Sequence, residues 1–99
     1  MYTINVNNTI ANQSFEGVQV KQLVKSSRFE VLSISIAKNA VFPTHKSHED
    51  AHLIVMEGKI TFYIEGNPIN LMEQQEFSFP KNIPHWVEAL EDSKFLIIR

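Results

Sequence analysis

The four histidines of the chain are the residues whose type and spacing point most directly to chemistry. His45, His48 and His52 lie within eight residues of one another, and His85 follows the segment 80–84, which begins and ends with proline. A neutral imidazole is the commonest metal ligand in proteins and binds Zn, Ni, Mn and Fe ions. Histidines in a polar bend are also common as plain solvated residues. The pattern leaves open a divalent metal site made by all four histidines, or surface histidines without a ligand.

A metal site needs ligands from separate segments that converge, so the elements carrying the histidines matter. Apolar residues recur at every second position in stretches such as 29–37 (FEVLSISIA) and 59–65 (KITFYIE). This period is that of a β-strand with one buried face. Gly58 and Gly66 stand between such stretches and predict hairpin turns. About eight to ten short strands without an amphipathic helix predict an all-β antiparallel sandwich or barrel, whose inward side chains meet across the lumen.

Length and composition limit the classes of function. The chain has 99 residues, which predicts a single domain over 1–99, and it has no cysteine, which excludes disulfides and thiolate metal sites. A net charge of −2 without a basic patch is atypical of nucleic-acid binding. The longest apolar run, 53–56, is far too short to span a membrane, and the first residues lack the pattern of a signal peptide. We therefore expect a cytoplasmic protein with neither nucleic acid nor membrane as a partner.

Two stretches of the sequence resemble the motifs of the cupin superfamily. The stretch 43–60 begins with Pro-Thr-His and ends with Val-Met-Glu-Gly-Lys-Ile, and it resembles the first cupin motif. The stretch 77–85 (FSFPKNIPH) resembles the second. Over about 15–99 the chain is similar to the small single-domain cupins of the conserved-barrel type. The resemblance implies a double-stranded antiparallel β-helix, or jelly-roll barrel, with a binding site in its lumen.

The cupin motifs also imply which positions hold metal ligands. His45 matches the first ligand and His85 the last, whereas the positions of a second histidine and a glutamate carry Ser47 and Ala51. The two remaining histidines are the nearest replacements. Strand alternation places His52 on the opposite face from Ala51 unless a β-bulge intervenes. The sequence alone does not decide whether His48 or His52 faces the lumen and replaces the missing ligands.

Aromatic residues near these motifs are candidates for the cavity wall, because ligand pockets are mostly apolar and aromatic. The candidates are Trp86, Phe62, Phe77 and Phe79. The predicted function is binding of a divalent metal ion, a small molecule or both in the lumen. Cupins of this kind include dioxygenases, isomerases and decarboxylases, and the sequence does not decide whether this chain is an enzyme. A metal-free binding or sensor barrel and a purely structural dimer module are the alternatives.

One strand is apolar on both faces. Leu53 and Val55 alternate with Ile54 and Met56, so whichever pair faces the lumen, the other pair faces outward. A small barrel has only one interior, and a second apolar face needs another cover. We therefore expect a homodimer.

Overall fold

The alternating apolar residues form strands along most of the chain, and a short helix precedes them. The computed structural model describes residues 2–99. Its elements, in chain order, are α1 (Thr9–Asn12), β1 (Val18–Lys25), β2 (Glu30–Ile36), β3 (Val41–His45), β4 (Ala51–Glu57), β5 (Lys59–Ile64), β6 (Asn67–Met72), β7 (Glu76–Phe79), β8 (His85–Ala89) and β9 (Ser93–Ile98). No helix in this part of the chain is long and apolar enough to cross a membrane.

The strands pair into two antiparallel sheets. The five-stranded sheet has the order β1-β2-β9-β4-β7, and the four-stranded sheet has the order β3-β8-β5-β6. Most neighbours in each sheet are distant in sequence, because successive strands cross between the sheets. This is the arrangement of a jelly-roll barrel. The predicted all-β jelly-roll barrel is therefore confirmed.

The core lies between the two sheets and is built from the inward residue of each alternating pair. Ala51, Leu53 and Val55 on β4 face inward, whereas His52 and Ile54 on the same strand are only half-buried on the outer face. The buried apolar residues are Ile34, Ile36, Ala51, Leu53, Val55, Ile60, Phe62, Leu71, Phe79, Val87, Ala89, Phe95 and Ile97.

The outer face of the five-stranded sheet is partly covered by the segment 9–15. The Lys94 Nζ donates to the Ile10 carbonyl at 2.6 Å, which fixes α1 over β9. The Gln13 Nε2 donates to the Ser33 carbonyl at 2.9 Å, and the Ser33 hydroxyl donates to the Gln13 Oε1 at 2.7 Å. Ser33 is outward-facing and polar but fully buried, because this segment lies on top of it.

Candidate functional site

A partly open cavity of about 180 Å³ lies between the two sheets. Its wall is mainly apolar, and its polar contributors are two histidines, a serine and an arginine. Within the described part of the chain, residues 2–99, no aspartate or glutamate lines it. The lining residues are Val20, Leu32, Ile34, Phe42, His45, Ser47, Phe62, Phe79, His85, Val87, Phe95, Ile97 and Arg99.

His45 and His85 form the polar centre of the cavity. His45 ends β3 and His85 begins β8, and the antiparallel pairing of these strands sets the two residues directly opposite each other. Their Nε2 atoms lie 3.2 Å apart. Each Nδ1 lies 2.9 Å from a backbone carbonyl two residues earlier in the chain, that of Pro43 for His45 and that of Ile83 for His85. The backbone therefore fixes the orientation of both rings.

These contacts determine which ring nitrogens carry protons. A carbonyl oxygen only accepts hydrogen bonds, so the Nδ1 of His45 and that of His85 must both be donors. In the neutral form of each ring, Nε2 is then a bare acceptor. Two bare acceptors 3.2 Å apart cannot bond to each other. The geometry of the pair suits a shared proton, a hydrogen-bond donor or a cation between the two Nε2 atoms.

Phenylalanine rings surround the histidine pair. Phe42 stacks on His45 with a centroid distance of 4.5 Å, Phe62 stacks on His85 at 5.1 Å, and Phe79 meets His85 edge-on at 4.7 Å. His85 is only 3% exposed. Burial lowers the pKa of His85, the Ile83 carbonyl opposes that shift, and the charges of His45 and Arg99 lower the pKa further. The net shift of the pKa favours the neutral, proton-accepting form of His85.

Arg99 contributes the positive charge at the cavity. Its Nε donates to the Glu30 Oε1 at 2.7 Å, and about a third of its side chain is exposed. It lines both the cavity and a surface cleft outside the barrel, so it stands at the boundary between them. The Ser47 hydroxyl, also in the wall, donates to the Glu49 carbonyl at 2.6 Å and stabilises the adjacent loop.

The other two predicted metal ligands lie away from the cavity. His52 is on the outer face of the five-stranded sheet, where its Nδ1 is 2.6 Å from the Ser78 hydroxyl and its Nε2 is 2.7 Å from the Glu76 carboxylate. No bulge intervenes between Ala51 and His52, so the alternation of β4 puts Ala51 inside and His52 outside. His48 is exposed and lines the surface cleft. Of the four histidines, the structure brings together only His45 and His85.

The predicted aromatic wall is partly different from the observed one. Phe62 and Phe79 line the cavity, and Phe77 packs against Phe62 at 4.8 Å without being part of the wall. Trp86 is not part of the cavity. It stacks on Tyr63, with 3.8 Å between ring centroids, on the outer face of the four-stranded sheet. Side chains alternate between the two faces of β8, so His85 points inward and the next residue, Trp86, points outward. This alternation alone corrects the prediction for Trp86.

Phe42 and Arg99 are two of the wall residues that the sequence analysis did not identify. Phe42 lies three residues before His45, and an irregular pairing between them brings both into the cavity, which strand alternation does not predict. Arg99 continues the inward series of Phe95 and Ile97 by one more step. Extending the alternation one residue beyond the end of β9 would have identified Arg99.

The residues at the cavity supply only part of a metal site. Two imidazole nitrogens bound to a tetrahedral ion at about 2.0–2.1 Å lie roughly 3.3 Å apart, close to the spacing of this pair. Metal-bound histidines usually donate their other N–H to a carbonyl or carboxylate, as both rings do here. Within residues 2–99, however, no three histidine, aspartate or glutamate side chains group together as a site for a metal ion. The pair matches two ligand positions and not the three protein ligands of a typical catalytic centre.

Comparisons with known proteins agree with the geometry of the barrel. The family described as "Cupin domain" matches residues 32–98, more than half of the chain. No curated protein matches the chain significantly. Among solved structures, the chain is similar to a conserved protein of unknown function from Streptococcus pyogenes, with 21% identity and a TM-score of 0.83 over 99% of this chain and 88% of that one.

Two further structures have the same fold. An RmlC-like cupin from Desulfovibrio desulfuricans is 22% identical, with a TM-score of 0.84 over 97% of this chain and 95% of that one. KdgF from a Halomonas species is 24% identical, with a TM-score of 0.75 over 87% of this chain and 81% of that one. At these identities the similarity establishes the fold alone.

Proposed function

Because the chain belongs to the cupin family, we propose that its barrel binds a small, largely apolar molecule bearing one acidic group, and that this group meets the His45–His85 pair. The cupin fold in general supports a barrel that binds small molecules or metal ions. The observation that carries the proposal is an apolar cavity with two proton-accepting Nε2 atoms 3.2 Å apart at its centre.

The size of the cavity limits the ligand. A cavity of about 150 Å³ lined by apolar side chains is known to hold a benzene ring. The volume here is about 180 Å³, which leaves room for a ring or short chain with a few more atoms. The largely apolar wall favours an apolar body over a sugar or a nucleotide.

The polar groups of the cavity limit the chemistry of the ligand's head group. The Nε2 atoms of His45 and His85 accept a proton or a hydrogen bond, and Arg99 supplies a positive charge at the same cavity. Among residues 2–99, no carboxylate belongs to the wall, and the Glu30 carboxylate that pairs with Arg99 lies outside it. A carboxylic acid or a phenol satisfies all three groups, because its proton goes to the histidine pair and its oxygen stays near the arginine.

Titration with benzoate, phenol and anisole, in which a methyl group replaces the phenol proton, tests this proposal. We expect the two acids to shift amide resonances of the cavity wall in NMR spectra, and anisole to bind more weakly. His45→Ala should abolish the preference for the acids. His52→Ala, on the outer face, is the matched control and should retain it. Equal binding of phenol and anisole, or a preference that survives His45→Ala, contradicts the proposal.

The spacing of the histidine pair favours a second candidate function. We propose, as the alternative, that a divalent ion such as Zn, Ni, Mn or Fe(II) is held by His45 and His85, with water or ligand oxygens completing its coordination. Such an ion would act as a Lewis acid towards a bound ligand. Elemental analysis of protein purified without a histidine tag separates the two candidates. A stoichiometric metal that is lost in His45→Ala supports this alternative.

We also propose that the chain forms a homodimer through the outer face of the five-stranded sheet. Ile54, Leu96 and Ile98 are only half-buried on that face, and Met56 is 46% exposed beside them. Contiguous exposed apolar surface of this kind typically marks an interface between proteins. Light scattering at micromolar concentration should give twice the 11.4 kDa mass of the chain. A monomer at every concentration contradicts this part of the proposal.

A further inference from the structure

The segment 2–7 is an arm whose apolar side chains have no cover in this copy of the chain. Tyr2, Ile4 and Val6 are 81%, 75% and 86% exposed. They alternate with polar residues, and the segment belongs to no helix or strand. A period of two is that of a strand with one apolar face. The chain extends 51 Å along its longest axis against 27 and 21 Å along the others, which fits an arm that stands away from the barrel.

The root of this arm is fixed on the outer face of the five-stranded sheet. The Lys94 Nζ donates to the carbonyls of Ile10 and Ala11, and Gln13 is bonded to the backbone of β1 and β2. Lys94 is only 6% exposed beneath this contact. The arm therefore leaves the barrel from the face that carries the proposed dimer surface.

An apolar patch begins on that face two residues beyond Lys94. Leu96 and Ile98 follow on the outer side of β9, and Ile54 on β4 pairs directly with Leu96. We define these three residues as the outer-face patch. Ser78 and Glu76 border it on β7, where both contact His52. The patch thus has an apolar centre and a polar edge, as protein interfaces commonly do.

We propose that the arm of one copy lies on the outer-face patch of a second copy, and that the second arm does the same in return. This inference rests on the proposed homodimer and names the segment that holds it together. Tyr2, Ile4 and Val6 supply the apolar face that the patch lacks. A two-fold axis makes the contact reciprocal, so each arm root lies beside the patch that receives the partner's arm.

Charge substitutions on the two faces of the arm test this inference with a matched control. The double variant Ile4→Asp, Val6→Asp places two carboxylates on the apolar face, and Thr3→Asp, Asn5→Asp places the same two charges on the polar face. In each copy, the first variant removes two apolar side chains that the proposed contact would bury, so it should raise the dimer dissociation constant at least ~100-fold. The control should remain a dimer. A wild-type monomer would reject the homodimer itself, whereas a dimer unaffected by both variants would reject only the arm contact.

Disulfide trapping then decides whether the contact is between copies. The chain has no cysteine, so an Ile4→Cys variant and a Leu96→Cys variant carry one thiol each. Mixing the two under mild oxidation should give a cross-linked species of twice the chain mass. Mixing Thr3→Cys with Leu96→Cys is the control and should cross-link less. Efficient cross-linking within a single chain that carries both Ile4→Cys and Leu96→Cys, at dilutions where only monomer exists, overturns the inference.

Discussion

Replacing Gly58 by alanine tests how the turn between β4 and β5 is packed, and Gly66 in the β5–β6 hairpin offers a comparison. The hairpin predicted at Gly58 is wrong, because β4 and β5 belong to different sheets and the turn crosses between them. Both glycines have positive φ, +84° for Gly58 and +75° for Gly66. An alanine in this region costs roughly 1–2 kcal/mol because its Cβ approaches the following carbonyl oxygen. The two sites should therefore share this contribution to the loss of stability.

The sites differ in the space available to a Cβ atom. At Gly66 nothing lies within 4 Å of the added atom, whereas at Gly58 it meets the side chain of Ser93 and the carbonyl of Asp92, and comes within 2.8 Å of the Ser93 Cα. Backbone atoms cannot rotate away. Ser93 is fully buried, and its hydroxyl accepts from the Lys59 N–H at 3.0 Å, so displacing Ser93 also weakens the start of β5. Overpacking of this kind costs about 1–3 kcal/mol more.

Chemical denaturation of the two variants measures the difference directly. Gly58→Ala should lose about 2–5 kcal/mol of unfolding free energy, against roughly 1–2 kcal/mol for Gly66→Ala. For a domain of this size each kcal/mol lowers the melting temperature by about 4–8 °C. Equal losses at the two sites would refute the packing argument. No loss at either site would refute the argument from positive φ.

Three further predictions concern the cavity. Because burial lowers the pKa of His85 in the folded state, the unfolded chain binds more protons just below pH ~6.5, so unfolding free energy should fall between pH 7.5 and 5.5. Denaturant titrations should show a smaller fall in His85→Phe, and an unchanged slope would contradict the assignment. Phe62→Ala removes a fully buried ring that stacks on His85, so it should lower the free energy of unfolding by about 3–5 kcal/mol. A loss below about 1 kcal/mol in a melting experiment would show that the surrounding residues close the new space. If the pair holds a metal, Ni or Zn at 100 times its dissociation constant stabilises the fold by about 2.7 kcal/mol, and the rise in melting temperature should vanish in His45→Ala; a rise that persists there places the metal elsewhere.

The sequence by itself determined the fold class and the face on which individual strand residues lie. Side-chain alternation is a local property of an extended chain, so the stretches 29–37 and 59–65 identify strands and their buried faces without knowledge of the partner strands. The same alternation predicts that His52 points away from Ala51, as the structure shows. The cupin motifs placed His45 and His85 at the lumen. Trp86 was interpreted incorrectly although the same rule would have placed it outside.

Only the tertiary structure decided how these residues meet. The 3.2 Å between the two Nε2 atoms depends on the pairing of β3 with β8, which lie forty residues apart and are aligned by the packing of both sheets. The irregular pairing that brings Phe42 beside His45 is likewise set by the partner strand. The burial of Lys94 under α1 joins residues more than eighty positions apart. The two-residue repeat of a strand decides which face a residue occupies. Distances across the barrel depend on the register between strands, and register is set by all the strands together.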